Sequence, residues 1–140
     1  MARRPILEID GVKFKNVYEV SYELYTAKDE TGRPSDRAHA GTIKIMRESD
    51  ESIDIFRWAA DSSKPKWKAG SVEFYNPNDE VMKTLKWKEG FITKYYETVP
   101  HVKDKPDTQI FEYFEVSSHY VYFGDDPESD TDAIDNRWEE

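Results

Sequence analysis

The sequence predicts a mainly β domain with one short α-helix, built as a barrel or a sandwich. Three observations carry this prediction. Apolar and polar residues alternate over residues 12–25, a second strand-like run spans residues 109–123, and one segment, residues 53–60, has convincing helical spacing. The chain of 140 residues fits one domain near the commonest size, and a domain of that size can bury a core.

The composition indicates a charged exterior around a core of large side chains. Charged residues make up 35% of the chain and hydrophobic residues 37%, a pair of values that alone would favour partial disorder. Four Trp, nine Tyr and seven Phe favour a folded core instead, because each can bury a large area. The absence of Cys excludes a disulfide framework and a thiolate metal site.

The first predicted element is a β-hairpin that leads into a long strand. Asp10-Gly11 follows the apolar residues 6–9, and both positions suit the positive φ of a type I′ turn. Over residues 12–25, six of the seven even positions are apolar or aromatic and most odd positions are polar. The pattern predicts one half-buried strand of roughly 46 Å, longer than a small core requires.

A polar loop, residues 27–41, interrupts the alternation after Thr26. A loop of this length without structure of its own is uncommon in a compact domain and is usually functional or disordered. From the residues alone, a mobile hairpin tip and a functional contact both remain open. Strand character resumes over residues 42–47.

One short helix and several strands are predicted for the rest of the chain. Ser49 or Asp50 would cap the helix. Its predicted apolar stripe is Ile53, Phe56 and Ala60, with the buried arc widened by Ile55, Trp58 and Ala59. The predicted strands are residues 70–75, 83–88, 91–99 and 109–123, with a bulge or turn at Glu89-Gly90.

The predicted strand 109–123 is apolar on both faces. One face carries Ile110, Phe114, Val116, Tyr120 and Tyr122. The other face carries Phe111, Tyr113, Val121 and Phe123. An internal sandwich strand and a strand whose outer face meets another subunit would both show this pattern, and both interpretations stay open.

Charge and hydropathy exclude several classes of partner. From Gly124 onward, eight acidic residues stand against Arg137 alone, so the tail accounts for −7 of the net charge of −9. No concentration of Lys and Arg offers a nucleic acid the basic face that it requires. No apolar run has the length of a signal peptide or a transmembrane helix. We therefore predict a single domain, residues 1–123, followed by a solvated acidic tail, residues 124–140.

The chemistry of an enzyme is missing from the sequence. His39, His101 and His119 are scattered without metal-ligand spacing. There is no Cys for a Cys–His nucleophile, no glycine-rich phosphate loop and no Gly-flanked serine. Asp130, Asp132 and Asp135 fail the pattern of a calcium-binding EF-hand. The residues predict neither a catalytic site nor a cofactor nor a metal site.

Several short motifs, in their order and spacing, resemble the Hcp/TssD tube proteins of bacterial type VI secretion systems, in the branch found in Bacteroidota. The motifs are Leu7-Glu8-Ile9-Asp10-Gly11, Ser21-Tyr22, Asp29-x-x-Gly32-Arg33-Pro34, Gly41-Thr42-Ile43, Trp58-Ala59, Gly70-Ser71-Val72-Glu73-Phe74-Tyr75, Leu85-Lys86-Trp87 and Trp138-Glu139. The resemblance implies a split β-barrel of two packed antiparallel sheets, with one short helix and a long extended loop after the second strand.

The resemblance also implies a function. Tube proteins of this family form hexameric rings that stack into a hollow tube, which a contractile sheath expels to deliver effectors. Expected partners are further copies of the chain, the sheath, spike and baseplate components, and effector proteins. The protein would be cytoplasmic when assembled and secreted through its own apparatus without a signal peptide or membrane insertion.

Two sets of residues are candidates for contacts between copies of the chain. The long loop would supply an inter-subunit or inter-ring contact through Asp29, Gly32, Arg33, Pro34, Asp36 and Arg37. The strand 109–123 would supply a ring interface through Phe111, Tyr113, Val121 and Phe123. The competing hypothesis is a monomeric β-barrel module that binds a small ligand or a carbohydrate with its exposed aromatic residues.

Overall fold

A computed structural model describes residues 4–26, 28–34, 38–61, 67–99 and 110–123, together with the backbone of residues 133–135. Within these ranges the fold is mainly β, with one short helix, a curled half-barrel sheet and a small second sheet. The predicted fold class is confirmed. The described residues contain no helix long and apolar enough to cross a membrane.

The chain forms ten strands and one helix within the described ranges. In chain order they are β1 (Ile6–Ile9), β2 (Val12–Phe14), β3 (Val17–Ser21), β4 (Leu24–Tyr25), β5 (His39–Ala40), β6 (Ile43–Glu48), α1 (Asp54–Ala60), β7 (Lys68–Tyr75), β8 (Val81–Thr98), β9 (Phe111–Phe123) and β10 (Ala133–Asp135). The large sheet is antiparallel in the order β2-β1-β7-β8-β9-β6-β3, with β10 also paired to β9. β4 and β5 form the small sheet.

The first hairpin forms as the sequence predicts. Ile9 lies opposite Val12, and the two turn residues have positive φ, 52° at Asp10 and 81° at Gly11. Glycine adopts this conformation without a steric penalty, and Asp is among the few other residues that tolerate it. The turn prediction is confirmed because it depends only on local chemistry.

The prediction of one long strand over residues 12–25 is wrong. Asn16 has a φ of 61°, which ends β2 and directs the chain into β3. The burial phase changes at this point: Phe14 and Val17 are buried, whereas Tyr18, predicted to face the core, is 39% exposed. A single left-handed residue therefore replaces one strand with separate short ones.

The break at Asn16 also shows how far the sheet curls. β2 and β3 are the two ends of the sheet order, yet only Lys15 and Asn16 separate them in sequence. Three peptide units span at most about 11 Å, so the two edges of the sheet lie close together. The sheet therefore curls toward closure.

The predicted strands 83–88 and 91–99 are one continuous strand, β8. The bulge predicted at Glu89-Gly90 is confirmed: the register with β7 shifts by one residue there, and Glu89 has a φ of 54°. The indole of Trp87 fills the space beside this bulge, where its N–H donates to the Lys68 carbonyl at 3.0 Å. A Cβ on Gly70 would lie 2.2 Å from that ring, so the strand requires glycine there.

The helix is shorter than predicted and buries a different face. It begins at Asp54, so neither Ser49 nor Asp50 caps it. Its buried residues are Ile55 and Trp58, which the sequence predicts only to widen the buried arc. The predicted stripe of Ile53, Phe56 and Ala60 is not buried: Ile53 and Phe56 are about half exposed. Ile53 is the N-cap residue and lies outside the helix, and the helix packs on the sheet through Ile55 and Trp58, so Phe56 and Ala60 point away from the core.

The hydrophobic core lies inside the curled sheet and under the helix. It consists of Leu7, Ile9, Phe14, Val17, Ile43, Ile45, Ile55, Trp58, Val72, Leu85, Trp87, Phe114, Val116 and Val121. The core draws on the strands of the large sheet and on α1. It therefore fixes β6 and β9, the strands from which the candidate contacts extend.

Candidate assembly surfaces: the arm and the outer face of β9

The described residues of the long loop form a hairpin extension, which we call the arm (residues 24–26, 28–34 and 38–40). It continues the pairing of β3 with β6: Ser21 lies opposite Lys44, the Gly41 N–H donates to the Glu23 carbonyl at 2.8 Å, and then Leu24 lies opposite Ala40. The arm thus extends as a two-stranded ribbon from the edge of the large sheet.

A type I turn closes the arm at its tip. The Gly32 N–H donates to the Asp29 carbonyl at 3.1 Å, and the Asp29 N–H donates to the Arg33 carbonyl at 2.8 Å. Gly32 has a φ of 85°, and Lys28 forms a β-bridge with Pro34. Asp at the first position and Gly at the fourth are typical of this turn. The Asp29-x-x-Gly32 spacing in the sequence is therefore a turn signal.

The carboxylate of Asp29 stabilises the tip from within. Its Oδ1 accepts hydrogen bonds from the Thr31 N–H at 2.9 Å, the Thr31 hydroxyl at 2.7 Å and the Arg33 N–H at 3.0 Å. The Thr31 hydroxyl, followed by the Arg33 N–H, lowers the pKa of Asp29 below its ordinary value. Asp29 is therefore a positioning residue for the turn, and the exposed Arg33 is presented next to it.

The structure brings together four of the six predicted arm residues. Asp29, Gly32, Arg33 and Pro34 all lie at the tip and are exposed. Asp36 and Arg37 lie outside the described residues. Sequence reasoning missed Thr31, whose hydroxyl and N–H both bind Asp29.

The outer face of β9 carries two of the four residues predicted for a ring interface, Phe111 and Tyr113. Phe111 meets Tyr18 edge-on at 5.5 Å, and Tyr113 stacks on Tyr96 with 4.8 Å between ring centroids. These rings form an aromatic surface on the first half of the strand. Phe123 lies opposite the buried Leu85 and meets Tyr22 edge-on at 5.9 Å, so it is on the other side of the sheet.

Val121 does not belong to this surface. It is only 5% exposed and is part of the core cluster. The alternation of buried residues along β9 holds from Glu112 to Ser118 and then shifts by one residue. The prediction that Val121 and Phe123 share the face of Phe111 and Tyr113 is therefore wrong, because it assumes strict alternation across the whole strand.

Cationic side chains lie over several of the outer rings. The Arg4 guanidinium is 4.1 Å from the centroid of Tyr18, and the ammonium of Lys94 is 5.9 Å from that of Tyr96. At exposed sites each such cation–π contact contributes about 0.5–1 kcal/mol. The surface is thus amphipathic, with a mixture of rings and charges that is typical of contacts between proteins.

Large apolar side chains are also exposed elsewhere. They are Val12, Tyr18, Leu24, Tyr25, Ile53, Phe56, Trp67, Val81, Met82, Tyr96, Val99, Ile110 and Phe123. The set includes the first strand of the arm, the helix and the ends of β8 and β9. Where several such side chains adjoin, as along the first strand of the arm, they are typical of regions that contact another molecule.

A buried ion pair anchors β6 to β9 beneath the outer face. The Arg47 guanidinium donates to Glu112 at 2.9 Å, and each side chain is 1% exposed. The Tyr95 hydroxyl donates to the second oxygen of Glu112 at 2.7 Å. Burial, followed by the Glu112 carboxylate, raises the pKa of Tyr95 well above its ordinary value. Removing one partner of such a pair is costly, so it fixes the strand register.

A comparison with protein families bears on this arrangement of surfaces. The family model for hemolysin coregulated protein Hcp (TssD) matches residues 1–126. The chain belongs to this family. The resemblance inferred from the short motifs is confirmed, and the chain has the role of a tube protein. A comparison with curated proteins finds no match.

Solved structures agree with the Hcp assignment. Hcp1 from Flavobacterium johnsoniae is 30% identical, with a TM-score of 0.75 over 94% of this chain and 98% of that chain. Hcp1 from the E. coli EAEC 042 pathovar is 11% identical, with a TM-score of 0.70 over 94% of this chain and 97% of that one.

A more distant likeness extends to another contractile machine. A chain of the PVC sheath–tube complex, an extracellular contractile injection system, is 15% identical, with a TM-score of 0.55. The alignment covers 86% of this chain and 88% of that chain. At this identity the likeness concerns the fold alone.

Proposed function

We propose that this Hcp-family chain forms hexameric rings that stack into the hollow tube of a type VI-like contractile secretion system. The observation that carries the proposal is the match to Hcp1 from Flavobacterium johnsoniae over nearly the whole length of both chains. Expulsion of the tube would deliver effectors. The role is structural, and no step of it requires catalysis by this chain.

The two candidate surfaces support different contacts in such an assembly. A subunit that binds head-to-tail forms a ring if the rotation closes, and the open ring faces then permit a filament. The aromatic surface of β9, through Phe111 and Tyr113, suits the lateral contact because aromatic rings are enriched at the cores of interfaces. The arm tip, with Arg33 exposed, suits the contact between rings. Rim charges of this kind set registration more than affinity.

The proposal includes partners and a location. Sheath, spike and baseplate components would contact the tube, and effectors would travel with it. The tube would assemble in the cytoplasm and leave the cell through the apparatus itself, without membrane insertion or bound nucleic acid. The acidic net charge supports the last point, because it gives nucleic acid no basic face.

The mass of the particle in solution tests the ring. The chain weighs 16.5 kDa, so light scattering coupled to gel filtration should give roughly 99 kDa for six copies. Electron microscopy of the same fraction should show rings with a central pore. A monomer that persists at high concentration would overturn the proposal and favour a monomeric binding module.

A further inference from the structure

The outer edge of β9 is divided between two partners. β6 pairs with its first half, from Phe111 to Val116, and β10 pairs with Tyr120–Tyr122. The opposite edge of β9 pairs with β8 along its length. The second half of the outer edge is therefore a place where a short strand binds. The sequence leaves open whether the acidic tail after residue 123 is ordered, and the backbone of residues 133–135 forms a strand on this edge.

The register identifies a second strand that fits an overlapping stretch of the same edge, with Tyr120 in common. β6 pairs Ile43 with Val116 and Lys44 with Glu115. If this ladder continued toward the N-terminus of β6, Ala40 would lie opposite His119 and His39 opposite Tyr120. Instead, β5 pairs with β4, and Tyr120 lies opposite Asp135 of β10.

β10 lies against β5 as well as β9. It therefore occupies the space between the base of the arm and the strand that the arm would otherwise join. The arm leaves the large sheet at Gly41 and Thr42, where the Thr42 hydroxyl donates to Glu115 at 3.2 Å. Because the Gly41 N–H remains bonded to the Glu23 carbonyl, the two strands of the arm stay paired through this bend.

We infer that the second half of the β9 edge is a strand-binding site with two alternative occupants in the same chain, β10 and β5. With β10 in place, the arm is held away from β9. When β10 leaves, β5 pairs with His119 and Tyr120, and the arm moves with it as a ribbon. β10 has three residues and β5 two, so the exchange breaks and forms few ladder bonds.

The acidic tail would then control the position of the arm. The segment that contains β10 carries most of the net negative charge of the chain, and it would set the position of the arm tip. The base of the arm would move by about one strand spacing, roughly 4.8 Å. The exchange takes place within one chain, so the inference does not depend on the proposed tube.

A pair of spin labels can measure this movement. The sequence has no Cys, so Glu30→Cys at the arm tip and Lys13→Cys on β2 give two defined sites, both exposed. Labelled full-length chain is diluted into unlabelled chain, and the distance is read by pulsed electron resonance. Ile134→Pro and Asp135→Pro each disrupt β10, and because ladder bonds alternate, one of the two removes a bonded N–H. Asp130→Pro, in the same tail but outside β10, is the matched control.

The expected result is a change of about 5 Å or more in the label distance in at least one β10 variant and none in the control. Adjacent amides of a strand point to opposite edges, so one of the His119 and Tyr120 amides faces the edge that β10 leaves. That amide should exchange slowly in the β10 variants, because β5 binds it. An unchanged distance in both variants would overturn the inference. So would fast exchange of that amide, whether or not the arm moves, since the edge would then be empty.

Discussion

Two turns of this molecule share one pattern of hydrogen bonds, the tip of the arm at residues 29–33 and the β7–β8 turn at residues 76–80. In the second, the Asp79 N–H donates to the Asn76 carbonyl at 3.0 Å and the Asn76 N–H donates to the Glu80 carbonyl at 2.9 Å. The Asn76 side-chain oxygen accepts from the N–H groups of Asn78 and Glu80. Asp29 makes the corresponding contacts to Thr31 and Arg33.

The two turns differ in chemistry and in what they connect. The arm tip uses a charged Asp29 and an unstrained Gly32, whereas the β7–β8 turn uses a neutral Asn76 and places Asp79 at a φ of 62°. The β7–β8 turn joins strands that carry the core residues Val72 and Leu85. The arm tip joins two short strands outside the large sheet. The same hydrogen-bond pattern therefore joins two core strands in the β7–β8 turn and exposes Arg33 at the arm tip.

The largest expected effect is on assembly, when the charge of the residue that ends the arm-tip turn is reversed. Arg33→Glu should reduce stacking of rings by about tenfold or more, because it places a negative charge where the arm presents a positive one. Ring formation and folding should be unchanged. Negative-stain images and co-sedimentation of stacked tubes measure this.

The corresponding change in the other turn, Glu80→Arg, is the control, and it should leave stacking intact. Equal stacking by Arg33→Glu and the unaltered protein would remove the arm from the proposed contact between rings. Equal loss in both variants would mean that the arm tip has no special role.

The next effect is on stability, from removing the side chain that accepts the hydrogen bonds. Asn76→Ala leaves two N–H groups of a barrel turn without their acceptor, so the free energy of unfolding should fall by about 1–2 kcal/mol in urea titrations. Asp29→Ala should leave that free energy unchanged and speed hydrogen exchange only at Thr31 and Arg33. A global loss from Asp29→Ala would show that the arm contributes to the cooperative core.

The smallest effect is on the pH dependence of the two turns. Hydrogen bonds to the carboxylate lower the pKa of Asp29. The stabilisation of the arm tip by this carboxylate is therefore fully present above pH 3.8, the ordinary pKa, and is lost as the pH falls through the lowered pKa. The neutral Asn76 has no such dependence. Amide chemical shifts of Thr31 and Arg33 should titrate below pH 3.8 while those of Asn78 and Glu80 do not. Titration of all four amides together would point to global unfolding instead.

The sequence predicted those parts of the structure that depend on neighbouring residues. The Asp10-Gly11 hairpin, the strand 109–123 and the presence of one helix follow from turn chemistry and periodicity. The arm tip also has a local signal in Asp29-x-x-Gly32, which served in the sequence only as part of a family motif although it also encodes a turn.

The parts that failed depend on distant partners. Asn is one of the residues that tolerate a left-handed φ, so the sequence permits a break at Asn16. The pairing of β3 with β6, a strand far along the chain, determines that the break occurs there. The phase of the helix depends on which side chains the sheet accepts beneath it. Arg47 finds Glu112 across 65 positions of sequence, and β10 pairs with a strand that spacing alone does not indicate.

The short link between β2 and β3 has a mechanical consequence. No ladder joins these two edges in the described part of the chain, so the seam of the curled sheet holds no backbone bonds that a load could break. The two residues of the link nevertheless limit how far that seam can widen. A force that pulls β2 away from β3 is therefore carried by the covalent link through Lys15 and Asn16. Backbone hydrogen bonds carry the load only between strands that are paired.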